Sequence, residues 1–423
     1  MLQGVLIIAI FLFFAVLMYM QKIPTFFALF LMSILIPLVA GAPLTGDDGI
    51  LKIVNDGSYN LASSIPALLF GAWVGEIMNQ TGITKSIIRT ASELAGDKPL
   101  VVAIVMYLVV AGLFTSLTGL GAHIMVAMLV LPILTAVGIK PVAASCFLIM
   151  ARSSGLIFNM SQWSLYQSAT GLEVDEIRKF AQVVSITGVV VGILFIFYEL
   201  KLKKTTAWAA PVSDAVPVGD GESKVPFLAY LTPVVPFILV IGFKWAIIPA
   251  LLVAALYGAV TTSWKNLFPV LSKTIHEAFK ASAPALVLYL MIGMVLLSMK
   301  NAFVKEYLLQ LVGPILPSGQ FGYILFFALL APLCLYRGPL NLWGMGAGVI
   351  GLLVEAGTMP AMAIVAGFLA VQLIQLSSDP TNTHDVWTAD YFGVEVNQLT
   401  KGMIVPMWIG TVVAVVIASF IYF

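Results

Sequence analysis

One polar run interrupts an apolar stretch late in the chain: Ser377-Ser378-Asp379-Pro380-Thr381-Asn382-Thr383-His384-Asp385. A carboxylate there, partly withdrawn from water, can take up and release a proton, with a histidine beside it as a second titrating group. The same carboxylate, among hydroxyls and freed carbonyls, can instead take a hard cation such as Na⁺. Asp379, between Ser378 and Pro380 where a helix must break, is the better candidate, with His384 behind it; Asp385 reads as a solvated loop residue.

A first-half counterpart exists in Ser153-Ser154-Gly155 followed by Asn159-Met160-Ser161-Gln162. Two small polar junctions precede these breaks: Ser116-Leu117-Thr118-Gly119-Leu120-Gly121 and Tyr336-Arg337-Gly338-Pro339-Leu340-Asn341. Ionisable groups inside apolar runs are costly and so mark function. The Arg337 guanidinium can hold a carboxylate in a forked pair or act as a positive residue at a cytoplasmic helix end. Arg152 can bind substrate or pair permanently with Glu76 or Asp379, and His123 reads as a hydrogen-bonded structural residue. Cys146 and Cys334 lie in apolar runs and read as small buried hydrophobes.

The chain contains no Walker phosphate loop, no dinucleotide-binding glycine fingerprint and no His-Glu-x-x-His helix. Neither a cofactor, a metal nor an enzymatic reaction is expected. The net charge of +1 gives no reason to invoke nucleic acid. Of the 423 residues, 61% are hydrophobic and 10% charged, and the mean hydropathy is +1.04. The lipid bilayer is the expected solvent. Leu2 to Met20 lacks a basic start and a small-residue cleavage site, so it reads as a first membrane helix.

The elements that would hold these residues occur twice. Ser64-Ile65-Pro66-Ala67-Leu68 recurs as Ser282-Ala283-Pro284-Ala285-Leu286, Gly75 as Gly293, Gly119 as Gly338, Gly138 as Gly357 and Pro141 as Pro360. Gly171-Leu172-Glu173-Val174 resembles Gly393-Val394-Glu395-Val396. Apolar segments lie near 2–20, 23–41, 61–80, 99–117, 119–137, 141–158 and 182–200. The second set lies near 227–243, 246–262, 282–299, 321–336, 338–356, 360–376 and 402–423. Seven segments per half is an odd number, so the halves enter the membrane from opposite faces. The expected fold is an all-α polytopic membrane protein with two inverted-topology repeats, residues 1–200 and 227–423. A cytoplasmic linker at 201–226 joins them, carrying Pro211, Pro217, Gly219 and Gly221.

Lys201, Lys203 and Lys204 put the linker inside by the positive-inside rule; Lys300 and Lys305 run against it. The charge-poor junctions at 116–121 and 336–341 read as tips of re-entrant hairpins, because Gly-rich backbone at membrane depth needs protein or a watery cavity around it. A tight surface turn is the alternative. Breaks and tips repeated in both halves are the pattern of a secondary transporter, whose substrate lies between the halves. An enzyme or sensor would cluster its polar groups in one half. With no ATP-binding motif, an ion gradient is the expected driver.

At these breaks the sequence resembles the ion transporter superfamily, and within it the citrate–metal:proton and gluconate:proton symporter families. The residues carrying the resemblance are Ser116-x-Thr118-Gly119, Leu131-Pro132, Gly138-x-x-Pro141 and Asn159-Met160-x-x-Trp163. Leu376-Ser377-Ser378, Pro380-x-Asn382-Thr383 and Gly393-Val394-Glu395 continue it. Trp163 stands here without the Pro-Trp-Gly-Gly-Pro-Thr run of citrate-type relatives. The resemblance implies two re-entrant hairpins, two unwound helices, organic-anion substrates and a homodimer. The expected function is inner-membrane symport of a small carboxylate with protons. A Na⁺-coupled carrier or a cation/proton antiporter on the same scaffold is the alternative. Ser116, Thr118, Gly119, Gly121, Asn159, Ser161, Arg337, Gly338, Asn341, Ser377, Ser378, Thr381 and Asn382 are expected to line the anion site, with Asp379 and His384 coupling the ion.

Overall fold

The computed structural model describes residues 2–20, 22–203, 225–312, 316–317 and 319–423. Most of the expected linker, with its prolines and glycines and Lys204, lies outside the described residues. Among the described residues all regular structure is helical. The first half runs α1 (Leu2–Tyr19), α2 (Thr25–Val39), α3 (Ile50–Tyr59), α4 (Ser64–Gln80), α5 (Ile83–Ala95), α6 (Pro99–Phe114), α7 (Gly119–Ala136), α8 (Pro141–Ile157), α9 (Met160–Thr170) and α10 (Val174–Phe197). The second runs α11 (Val235–Phe237), α12 (Ile247–Ser263), α13 (Leu267–Lys300), α14 (Ala302–Val312), α15 (Gly319–Ile324), α16 (Gly346–Ala356), α17 (Ala361–Ser378), α18 (Thr383–Phe392) and α19 (Val396–Tyr422).

The repeat in sequence is a repeat of local structure. Pro141 opens α8 and Pro360 caps α17, each placed where a missing N–H costs nothing. Gly171 (φ 76°) ends α9 and Gly393 (φ 63°) ends α18, each in the left-handed conformation that a side chain would strain. Glu173 and Glu395 then cap α10 and α19. Among the described residues six helices are long and apolar enough to cross a membrane, or up to eight if each bent pair is one span; α8 with α9 bends by 52°. Every residue of α8 from Ala143 to Ile157 is buried, and so is α17 from Met362 to Ser378. These two helices are the core. Apolar faces such as Val5, Leu12 and Phe13 of α1, or Val405, Ile409 and Phe420 of α19, point outward, as suits lipid.

Both hairpin tips are interior. Ser116, Leu117 and Thr118 are buried between α6 and α7, and Leu340, Asn341 and Leu342 between α15 and α16, so the surface-turn alternative fails. The 11 residues of α16 reach only about 17 Å, too short to cross a hydrocarbon core of about 30 Å. The descending limb of that hairpin is itself bent by 43° before Ala331–Arg337.

Four helices differ from the hydropathy-based expectation. α5, between the third and fourth apolar segments, buries Ile83 and Ile88 while Arg89 and Glu93 pair on its exposed side. An amphipathic helix has low mean hydropathy and leaves no apolar run. α10 and α19 begin well before their apolar segments, the first through an acidic turn with Asp175 and Glu176 and the second through the polar Asn397 and Gln398. α13 runs unbroken for 34 residues, its first half carrying Lys273, His276, Glu277 and Lys280, whereas residues 60–63 split its first-half counterpart into α3 and α4.

α3 crosses α13 at mutual glycines: a Cβ on Gly57 would strike the Met294 backbone, and one on Gly293 would strike the Gly57 carbonyl. Exposed Asp56 is therefore level with Met294, while Glu277 lies 17 residues earlier on α13, or about 26 Å along the axis. With Cys146 and Cys334 replaced by alanine, single cysteines at Asp56 and Glu277 should react with an impermeant maleimide from opposite faces of the membrane. Reaction of both from one face would show that α13 does not cross.

Candidate functional site

The first break is held by one side chain. Between α8 and α9, the Asn159 amide donates to the carbonyls of Phe114 (3.2 Å) and Leu117 (3.3 Å) at the first tip. Its Oδ1 accepts from the Ser161 N–H (3.0 Å) and hydroxyl (2.8 Å). Asn159 thus caps α9 and satisfies carbonyls that α6, in ending, leaves without helical partners.

The second break repeats this with the charge changed. Asp379 stands where Asn159 stands in the first half, and Thr381 where Ser161 stands. Asp379 Oδ1 accepts from the Thr381 N–H (3.0 Å), the Thr381 hydroxyl (2.7 Å) and the Tyr336 N–H (2.9 Å). Oδ2 accepts from the Arg337 N–H (3.2 Å) and the Asn341 amide (3.0 Å). Tyr336 (φ 54°) and Arg337 (φ 59°) are successive left-handed residues. Their neighbouring N–H groups form a concave anion nest, and the carboxylate that fills it belongs to the chain itself. Left-handed backbone at non-glycine residues is strained and persists only where its surroundings enforce it. Asn341 extends the latch, its amide also donating to the Cys334 carbonyl (3.0 Å) and its Oδ1 accepting from the Trp343 N–H.

The two core helices reach into each other's breaks. Arg152 of α8 donates through Nη1 to the Leu376 carbonyl at the end of α17 (3.2 Å), and Asn382 donates to the same oxygen (3.3 Å). Gln372, the counterpart of Arg152 on α17, donates to Gln162 of α9 (3.3 Å). The first tip meets the second break as well: Gly119 (φ 85°) lies beside the His384 ring, and His123 of α7 bonds the Thr388 hydroxyl of α18 (2.7 Å). Two tips and two breaks therefore form one site.

Some expected residues are engaged in structure. The Ser116 hydroxyl donates to Pro233 O (2.7 Å), and Ser377 and Ser378 satisfy each other and the Leu373 carbonyl within α17. Gly338 is a packing position, since a Cβ there would strike the Leu333 carbonyl, and Gly121 lies on the exposed side of α7. Other groups are open. Thr118 Oγ1 is buried without a partner, and the Arg337 guanidinium makes no hydrogen bond or ion pair among the described residues. Asn382 Oδ1 bonds His384 Nδ1 (2.8 Å), leaving His384 Nε2 buried and unpartnered.

The sequence understated three residues. Asp385, expected in a solvated loop, is in the first turn of α18 and 1% exposed, and neither carboxylate oxygen has a hydrogen-bond partner. Arg152 makes no ion pair within the described residues; Glu76 instead bonds Gln80 at the surface. Its guanidinium lies over the Phe114 ring, 5.9 Å from the centroid, with Nε unpartnered. His123 is fully buried with Nδ1 unpartnered. Asp385 stands where the first half has Leu165, an asymmetry the repeat could have flagged.

Asp379→Asn would turn an amide toward N–H donors, and Asn159→Asp would set a carboxylate against two carbonyls. Leaving buried polar groups unsatisfied costs about 1–3 kcal/mol each, so each variant should lose about 2–3 kcal/mol of stability in detergent. Wild-type unfolding midpoints in both would show that neither side chain holds its tip.

No protein-family model and no curated protein matches the chain in sequence. Solved structures do share its fold. The YdaH transporter of Alcanivorax borkumensis, described as having an unusual topology, superposes with a TM-score of 0.67 at 15% identity, over 94% of this chain and 97% of that one. MtrF of Neisseria gonorrhoeae, described as illuminating a class of antimetabolite efflux pumps, gives 0.67 at 13% identity over 94% and 95%. At such identities the likeness is one of fold, and it extends over nearly the full length of each chain.

Proposed function

We propose that this chain is a secondary active transporter of a small organic carboxylate, working by alternating access and coupled to protons. The observation that carries the proposal is a buried junction of two tips and two breaks around Arg152 and Arg337, the second with its guanidinium uncommitted among the described residues. A planar fork at the end of a hairpin suits a carboxylate. The repeated elements supply two halves that can rock about such a junction. Transporters on the same fold support carriage, and the resemblance to citrate–metal:proton and gluconate:proton symporters supports an organic acid.

Sodium coupling through Asp379 is the less favoured version. A carboxylate offers about four lone-pair positions, and Asp379 already receives five donors. No lone pair is left to face a cation. The protein would reside in the inner membrane as a homodimer, its halves inserted in opposite senses.

A panel of mono-, di- and tricarboxylates tests the assignment by thermal unfolding in detergent. A ligand at 100 times its Kd stabilises by about 2.7 kcal/mol. At least one acid should stabilise the wild type, Arg337→Ala should lose that shift, and Arg337→Lys should restore it poorly because an ammonium lacks the fork. No shift with any acid, or an equal shift in Arg337→Ala, would refute the assignment. In proteoliposomes uptake should follow an inside-alkaline pH gradient; uptake that follows only an imposed Na⁺ gradient would replace proton with sodium coupling.

A further inference from the structure

The two aspartates beside the second break sit in opposite circumstances. Asp379 has five donors, every one holding the tip or the break. Asp385, on the next helix, has none, although it is equally buried. A carboxylate deprived of water and of donors is too costly to persist as a bare charge, and it must either carry a proton or gain a cation.

The cation is at hand and also under-committed. Arg152 is 3% exposed, makes one hydrogen bond to a neutral carbonyl, and has an unpartnered Nε. Its helix α8 packs against α18, which carries Asp385. The two groups stand on different, adjoining elements, with no ion pair closed between them in this state.

We propose that Asp385 is the residue that takes up and releases the coupling proton, and that Arg152 is its exchange partner, freed for the substrate carboxylate whenever Asp385 is protonated. This rests on the carboxylate-transport assignment above. In the empty carrier, Arg152 and Arg337 balance Asp379 and ionised Asp385. A bound monocarboxylate adds one negative charge, and one proton on a carboxylate oxygen of Asp385 removes it. Anion and proton then bind together because one arginine cannot serve two carboxylates in a site without water. The proton leaves to water on the far side as Arg152 returns to Asp385.

The surroundings contain other titratable groups. Arg152 and Cys146 lie on α8, His123 on α7, Arg337 at the tip, Asp379 at the break and His384 next to Asp385 in the chain. On α19 the charged residues are Glu395 at the N-cap and exposed Lys401. Among the described residues, only Asp385 combines full burial with two carboxylate oxygens free of donors.

Infrared pH-difference spectra of the protein in lipid nanodiscs provide the test. The wild type should show the C=O band of a buried carboxylic acid that comes and goes with pH. Asp385→Asn should abolish it, and Arg152→Gln should carry the transition to higher pH, since the compensating cation is gone. Should Asp385→Asn fail to fold, Asp385→Glu should keep a titrating band at a displaced frequency. An unchanged band in either Asp385 variant would overturn the proposal. Transport separates it from its parent: Asp385→Asn should exchange labelled carboxylate across the membrane but no longer accumulate it on a pH gradient. Retained accumulation would sink the role of Asp385 while leaving carboxylate transport standing. If no acid in the panel binds the wild type, carboxylate transport itself fails, and with it the coupling role proposed for Asp385.

Discussion

Irregular backbone buried among apolar helices must find a partner for every N–H and C=O, because no water is present to supply one. Everything at the centre of this protein follows from how two side chains meet that demand. Asn159 gives its amide to the carbonyls that end α6, and Asp379 gives its oxygens to the N–H groups of a left-handed tip. Asn159 then turns back to cap α9, and Asp379 turns back to the Thr381 N–H and hydroxyl inside its own break. The same position in the two repeats thus performs the same task with opposite polarity, since one tip presents acceptors and the other presents donors.

That difference sets the electrostatics of the site. A neutral latch in the first half adds no charge. An acidic latch in the second brings one negative charge to the junction, and Asp385 adds another where the first half has Leu165. Arg152 and Arg337 oppose them, one from the core helix of the first half and one from the second tip. The repeat builds a symmetric frame, and the charged residues break its symmetry. A charge-bearing function lives in such departures, because the frame by itself can be satisfied by neutral groups.

The crossing of α8 and α17 gives the frame its rigidity. Both helices are buried along their length, and each extends a polar side chain toward the other's break, Arg152 to Leu376 O at the end of α17 and Gln372 to Gln162 at the start of α9. These two bonds span sequence separations of 224 and 210 residues, so they tie each half to the other at its break. Motion between conformations is therefore expected at the tips and at α18, where Thr118, His384 and Asp385 retain unpartnered atoms, rather than along the core helices.

Much of this was legible in the residues. The doubled Ser-x-Pro-Ala-Leu motif, the paired glycines and prolines and the four polar breaks determined an all-helical, twice-repeated membrane architecture, because hydropathy and turn residues act locally and are written in order along the chain. Amphipathic α5 and the charged start of α13 escaped, since an apolar-run criterion has no signal for a helix half in water. Within the site, sequence located the breaks but could not apportion roles among their polar residues. Asp379 and Asp385 lie six positions apart in one polar run, and Pro380 marked only the first as a residue of the break. Which of them receives five donors and which receives none depends on where the second tip folds back, and that was decided only by tertiary contacts between residues some forty positions apart.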